Sequence, residues 1–371
     1  MSFFADLPAC RRTLGLAGHA SNDNMCSKCH LPRHQINSLD VSRVRKRSDQ
    51  EHKQKALKAR DAGSYTARQQ IYKSNGIRYS KLCELDYWSL IDNHVIDPMH
   101  NLLLGVLAWH CKRIWGMTKV DNVQLAPPPR KGINLITDRL LSPERQPVTP
   151  SNHEETARND QNNLAAKGMD GNFNNARHFL DISFASTEPD NADYLAPGEE
   201  FDVPMTQAVF DSDLPAYVNQ RLNRIRLPTS ISRGIPILGQ ASYGKLKADE
   251  WRNLFTIQLP LCLIPLWNRQ DAYQQALLKN FCHLVSMVNI ALKRTMTSDQ
   301  IAQYCLYNRA YLESTLKLFP DLPLTTNHHM STHIAEGLER YGPVRASWSF
   351  PFERFMGQVV KSCHNNRIGV F

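Results

Sequence analysis

Apolar residues recur at helical spacing through the second half of the chain. Ile301, Cys305, Leu312, Leu316 and Phe319 fall on one face of a helix wound at 3.6 residues per turn, and similar runs predict helices over 249–267, 271–293, 298–319, 325–340 and 350–363. Order resumes near Val218. In the first third, residues 40–72 contain no Pro and few apolar positions but many Lys, Arg, Gln and Ala, the pattern of a solvated helix that Ser74-Asn75-Gly76 should end. Asp97 suits the cap of the next helix and Pro98 its first position; the run to Trp115 is apolar on most sides, so this helix should be buried. Pro127-Pro128-Pro129 opens a stretch to residue 215 crowded with Asn, Asp, Ser and Pro. With thirteen acids against three bases over 149–215, it has too little apolar surface to offset its ordering entropy and reads as an acidic disordered loop. No internal repeat and no Gly-rich phosphate loop is visible, so no nucleotide cofactor is expected.

Composition narrows the class. The 371 residues suit two domains, or one with a large insertion, and 42% hydrophobic with 21% charged residues is globular usage. The longest apolar runs, 102–109 and 259–267, are well short of the roughly 18 residues of a membrane span, so no membrane partner is expected. Met1-Ser2-Phe3-Phe4-Ala5 has no basic region and meets Asp6 at once, unlike a secretory leader. Nine cysteines, an odd number in a long chain, argue for a reducing intracellular compartment. The net charge of +9 makes a polyanion partner worth testing. Most of that excess lies over 43–73, where ten basic residues, among them Arg43, Arg45, Lys46, Arg47, Lys53 and Lys55, meet three acids.

Three clusters carry candidate chemistry. Cys26-Ser27-Lys28-Cys29 can offer two thiolates to one tetrahedral metal such as zinc, with His19, His30 or a distant His completing the shell; a coincidental pair is the alternative. Asp97 and His100 share one side of the first helical turn and can join in a hydrogen bond or on one metal, or can be an ordinary cap and core histidine. Glu353 sits among Trp348, Phe350, Phe352, Phe355 and Met356, where a buried carboxylate needs Arg354 or a metal. His329 and His333 stand four apart, but no Glu follows His329 and the metalloprotease pattern is absent, so His328, His329 and His333 read as ordinary helix residues.

Taken in order, several blocks resemble the transposases of CACTA (En/Spm-like) DNA elements of the type abundant in fungal genomes. They are Asp6-Leu7-Pro8-Ala9-Cys10 with Gly18-His19 and Cys26-Ser27-Lys28-Cys29; Gly76-Ile77-Arg78-Tyr79-Ser80 leading to Asp97-Pro98-Met99-His100-Asn101; Gly244-Lys245-Leu246 to Trp251; and Tyr341-Gly342-Pro343-Val344 through Pro351-Phe352-Glu353-Arg354 to Asn365-Asn366. The resemblance implies an RNase H-like transposase core with a large helical insertion, and DDE-type, metal-dependent DNA strand cleavage and transfer. Asp6 matches the second carboxylate and Glu353 the third, holding Mg2+ or Mn2+. Asp97 and His100 match the Asp-x-x-His signature, with support of the active site or metal binding shared with Cys26, Cys29 and His19. DNA, as transposon ends and target, would be the partner, with a homo-oligomer as a further option and the nucleus as the compartment.

The fold expected on this basis is mainly α with a small α/β remnant. It divides into a core remnant with the Cys loop (1–37), a basic helix and the buried Asp-x-x-His helix (38–126), the acidic loop (127–215), a helical insertion (216–345) and a return to the core with the Glu-bearing helix (346–371). The first catalytic Asp of the family pattern has no match, so the resemblance implies a chain shortened at both ends that does not cleave DNA alone. The competing expectation is a non-catalytic DNA- or protein-binding module using the face over 43–73, recognisable by salt-sensitive binding.

Overall fold

In a computed structural model, which describes residues 2–115, 209, 213–229, 231, 246–268 and 271–362, the basic segment folds as two helices where one was expected. After α1 (Leu7–Thr13), the Ser48 side chain accepts from the Glu51 N–H and starts α2 (Asp49–Asp61). Ala62 and Gly63 interrupt the helix, and Ser64 caps α3 (Tyr65–Asn75) by accepting from the Ala67 N–H at 3.1 Å. Gly76 ends α3 at φ +66°, the left-handed value that favours glycine. Nor is α2 wholly solvated: His52, Ala56 and Ala59 form a narrow buried stripe, with His52 Nε2 2.9 Å from the Leu14 carbonyl. That stripe lies on a small core that includes Leu14, Leu16, Ile77, Trp88 and Leu90.

The buried Asp97 helix forms as expected. It runs as Met99–Leu107 and His110–Ile114, together α4, with wide π-helical turns. Leu102, Leu103, Val106 and Leu107 are all fully buried, each contributing about 1.5–3 kcal/mol relative to exposure. After α5 (Asp213–Arg224), the expected helices appear nearly where the spacing puts them. Ala248–Asn253, Leu254–Gln258 and Leu259–Trp267 form one continuous rod, α6. The long pair α7 (Ala272–Ala291) and α8 (Ser298–Leu318) pack on each other, locked by buried Asn280, whose Nδ2 donates to Ser314 Oγ at 2.8 Å and Thr315 Oγ1 at 2.9 Å. The helix expected over 325–340 is divided into α9 (Thr326–Ser331) and α10 (Ile334–Tyr341). Ser331 and Thr332 hydroxyls donate to the carbonyls of His328 and His329, both at 2.7 Å, and compete with the backbone ladder at the break. The last helix is α11 (Phe350–Ser362).

The protein is thus mainly helical. Among the described residues the expected sheet remnant amounts to isolated bridges: Phe3 with His94, Leu16 with Ile77, and Cys29 with Lys46. Every described element belongs to one unit built from Met1–Gln124 and Pro197–Phe371. The acidic loop read over 127–215 lies outside the described residues, apart from Val209 and the opening of α5, as do Asn365 and Asn366. No helix among the described residues is long and apolar enough to cross a membrane.

Candidate metal centre and the neighbouring carboxylate cleft

Two buried arginines shape the Cys loop before any metal is considered. Arg11, 1% exposed, donates to the carbonyls of Ala17, Asn24 and Met25, while Arg47, 7% exposed, donates to the Cys26 carbonyl at 3.0 Å and to Asn24 Oδ1 at 3.1 Å. Backbone pairing across the Cys29–Lys46 bridge, His30 N–H to the Arg45 carbonyl and Arg47 N–H to the Lys28 carbonyl, fixes the far side. Lys28 is tied down by two carbonyls, Ile91 and His94, each at 2.7 Å. Within this frame the N–H groups of Lys28 and Cys29 point at Cys26 Sγ, at 3.3 and 3.4 Å, and stabilise negative charge there.

Opposite the loop stand His329 on α9 and His333 just ahead of α10, some 300 positions away in sequence. The donor atoms of Cys26, Cys29, His329 and His333 all lie within 4.8 Å of one another, and all four residues are buried. Cys26 Sγ is 3.6 Å from His333 Nε2, Cys29 Sγ is 3.2 Å from His329 Nε2, and the two Nε2 atoms are 3.4 Å apart. A tetrahedral ion with Zn–S of about 2.3 Å and Zn–N of about 2.0–2.1 Å needs S···N edges of about 3.6 Å and an N···N edge of about 3.4 Å. The Cys26–His333 and His329–His333 separations match those lengths, Cys29–His329 is shorter, and two thiolates with two imidazoles are a donor set that zinc favours, so this Cys2His2 group can hold a metal such as zinc.

The charges couple the members of the group, and a bound metal would take the place of the protons that Cys29 and His333 retain. Burial opposes charge on Cys26, but hydrogen bonds from Cys29, His329 and His333 hold it well below the ordinary thiol range; the hydrogen bond between the two cysteines, with burial behind it, pushes the Cys29 thiol up. Burial also works against protonated His333, yet contacts with Cys26 and Glu336 raise it to about 9. Glu336 Oε1 lies 3.6 Å from His333 Nδ1 and pairs with Lys46 Nζ at 2.9 Å; the His333 contact first, and Lys46 after it, draw its carboxyl down to about 2. A carboxylate behind a ligating imidazole orients the ring and raises its basicity.

The ligand partners differ from those expected from the sequence. His19 is exposed, and what its residue supplies is a backbone carbonyl, accepting from Arg33 and Thr326 at 3.3 Å. Asp97 and His100 do not join the Cys pair; they face each other and α11. His329 and His333, read as ordinary helix residues, complete the group instead. The i, i+4 spacing was the available signal, and what the sequence lacked was any sign that this face meets Cys26 and Cys29.

A second site opens beside the first. Asp97, 3% exposed, accepts from the backbone N–H groups of Met99 and Ser349, each at 3.2 Å, on Oδ1, and from His100 Nδ1 at 2.5 Å on Oδ2. The other ring nitrogen, Nε2, lies 3.7 Å from Glu353 Oε1. Burial works against protonated His100, but Asp97, with Glu353 and Asp6 behind it, outweighs this and raises its pKa above the ordinary 6.5. Asp6 caps α1 by accepting from the Ala9 N–H at 2.6 Å and lines a cleft of about 820 Å³ with Asp97, His100, Trp109, Arg113 and Asn327. Phe4, two residues before Asp6, packs edge-to-face on Phe352, one residue before Glu353, with centroids 5.4 Å apart. Asp6 and His100 thus line one cleft, and Glu353, 347 positions from Asp6, approaches the same imidazole. The expected burial of Glu353 is not found: its side chain is 60% exposed, Phe352, Phe355 and Met356 are exposed too, and its partner is His100 rather than Arg354.

Several charges of the basic face are engaged within the protein. Arg47 is buried in the Cys loop, and Lys53 Nζ donates to the carbonyls of Leu85 and Trp88 at 2.9 and 3.0 Å, so neither is presented to a nucleic acid. Arg43 pairs with Asp40, Arg45 and Lys55 with Glu51, and Lys46 with Glu336. No protein-family model, curated protein or solved structure matches this chain.

Proposed function

We propose that the protein derives from a DDE-type DNA transposase of the CACTA kind, with an RNase H-like core interrupted by a helical insertion, acting in the nucleus on transposon ends and target DNA. The observation that carries this reading is the approach of Glu353 to His100, an imidazole that shares a cleft with Asp6. The Asp-x-x-His pair adds support, because Asp97 joins the start of α4 to the start of α11 and so sets the position of Glu353.

Asp6 on the cleft wall and Glu353 beside His100 offer carboxylate oxygens of the kind that Mg2+ or Mn2+ takes. When bound, such ions activate the attacking oxygen and stabilise the leaving one in displacement at a phosphodiester. Asp6 and Glu353 would hold the cation, Asp97 fixes His100, and the Cys2His2 group anchors the 322–330 wall of the cleft through α9. Two carboxylates bind weakly where such centres use three, so metal binding is the first measurement. Calorimetric titration with Mn2+ is expected to show binding that Glu353→Gln and Glu353→Ala remove. Binding that persists unchanged in those variants would reject the site.

The reading as a non-catalytic DNA-binding module has less support, since most of the charges it would use are already paired within the protein.

A further inference from the structure

Ser27 and His94 both line the cleft and take no part in the strand-cleavage reading. Ser27 Oγ lies 2.9 Å from His94 Nε2, and His94 Nδ1 lies 2.8 Å from the Leu90 carbonyl. A carbonyl only accepts, so Nδ1 carries the ring proton, Nε2 keeps its lone pair, and the Ser27 hydroxyl donates to it. Burial, with the charge of Lys28 behind it, holds this imidazole uncharged, which leaves that lone pair in place at neutral pH. The backbone around the pair is fixed. Lys28 Nζ donates to the carbonyls of Ile91 and His94, and Phe3 hydrogen-bonds to Asn93 and Val95 on either side of His94. A hydroxyl, a base in hydrogen-bond reach of it and a third group that orients the base are the parts of an activated nucleophile. At 1% and 2% exposed the two side chains are nearly sealed from bulk solvent, yet the cleft they line, about 820 Å³, has the size of a small-molecule site. Leu7, Ile36, Val95, Leu324 and Met330 make much of its wall apolar, which suits a hydrocarbon chain.

We propose that Ser27 and His94 form a nucleophile and general base for the hydrolysis of esters with an apolar acyl group, with the Leu90 carbonyl orienting the base. This activity goes beyond the strand-cleavage reading and does not rest on it. Ser27 Oγ bonds to the ester carbonyl carbon while its proton passes to His94 Nε2. The C–O bond to the alcohol then breaks, and the alcohol leaves with that proton. Water repeats the sequence on the acyl-serine, releasing the acid and returning a proton to Ser27.

The test uses the full chain with one equivalent of zinc bound. An alkyl fluorophosphonate, which bonds to an activated serine with loss of fluoride, is expected to add one equivalent at Ser27, located by mass spectrometry. Ser27→Ala should take no label, and His94→Gln should slow labelling by roughly 100-fold or more. Hydrolysis of p-nitrophenyl butyrate is expected to fall by a similar factor in both. Zinc content and helical circular dichroism confirm the fold of each variant; Ser27→Ala, which removes a single oxygen, carries the test if His94→Gln does not fold. An unlabelled wild-type protein, a label on another residue in place of Ser27, an unchanged labelling rate in folded His94→Gln, or ester hydrolysis equal in wild type and Ser27→Ala would each overturn the proposal, and none of them bears on the strand-cleavage reading.

Discussion

The Ser349 backbone N–H donates to Asp97 Oδ1 across 252 positions of sequence, in the interior of the protein. One carboxylate thereby starts α4, secures the entry to α11 and orients His100. Asp97→Ala orphans two buried N–H groups and the imidazole, and is expected to destabilise by on the order of 3 kcal/mol. Thermal unfolding should show this as a fall of roughly 10 °C, with a smaller fall for Asp97→Asn.

The Cys2His2 group is expected to bind one equivalent of zinc. Cys26→Ser, Cys29→Ser, His329→Ala and His333→Ala should each lose it, whereas His19→Ala should keep it, as measured by metal analysis after gel filtration. Because metal binding and folding are linked, a strong chelator should lower the melting temperature of the native protein and leave the Cys26→Ser variant unchanged.

Glu336 couples Lys46 to this centre through His333. Glu336→Gln is expected to weaken zinc by about 10-fold to 100-fold, the usual effect of losing an outer carboxylate, in competition against a zinc dye. Lys46→Glu, which sets two acids against each other, should also weaken it. A charge reversal at Lys46 intended to test DNA binding therefore needs zinc content measured alongside.

Gly105 lies where α4 crosses α9, and a Cβ there would collide with the Asn327 amide. Asn101 Nδ2 already donates to the Asn327 carbonyl at 3.0 Å, so that segment has little freedom to retreat. Gly105→Ala is expected to cost about 1–3 kcal/mol, although alanine is the better helix former at an unconstrained position. Chemical denaturation measures the difference.

His110 is fully buried beside Trp115, Phe255 and Tyr311, and burial lowers its pKa from 6.5 to about 3. The unfolded chain takes up the proton below pH 6.5 and the folded one does not until about 3, so stability falls on acidification through that window. The melting temperature should therefore drop between pH 7 and 4, and less steeply in His110→Phe, which keeps an aromatic ring in the cage. Equal slopes would exclude His110 as a source of the dependence.

Where side-chain period and caps carried the information, reading the chain locally succeeded. The rod α6 and the pair α7 and α8 were legible because their apolar positions repeat every three to four residues. Gly76 stopped α3 because a left-handed residue ends a helix. The same reasoning failed at Arg47 and Lys53, taken from charge density as solvated, because nothing local announces that a guanidinium or ammonium will be used by carbonyls such as those of Cys26, Leu85 and Trp88. It also failed at Glu353, whose aromatic neighbours suggested burial while the structure leaves them exposed.

By itself the sequence determined a mainly helical protein, the Cys-x-x-Cys pair and the Asp-x-x-His helix start, all features set within a few residues by backbone geometry and side-chain period. Only the tertiary structure decided that His329 and His333, rather than His19 or His100, close on the two sulfurs, and that Glu353 meets His100 in a protein where His100 and Asp6 line one cleft. Those neighbours are about 250 to 350 positions apart, and the burial that brings them together depends on how whole helices pack, which no local pattern of residues encodes.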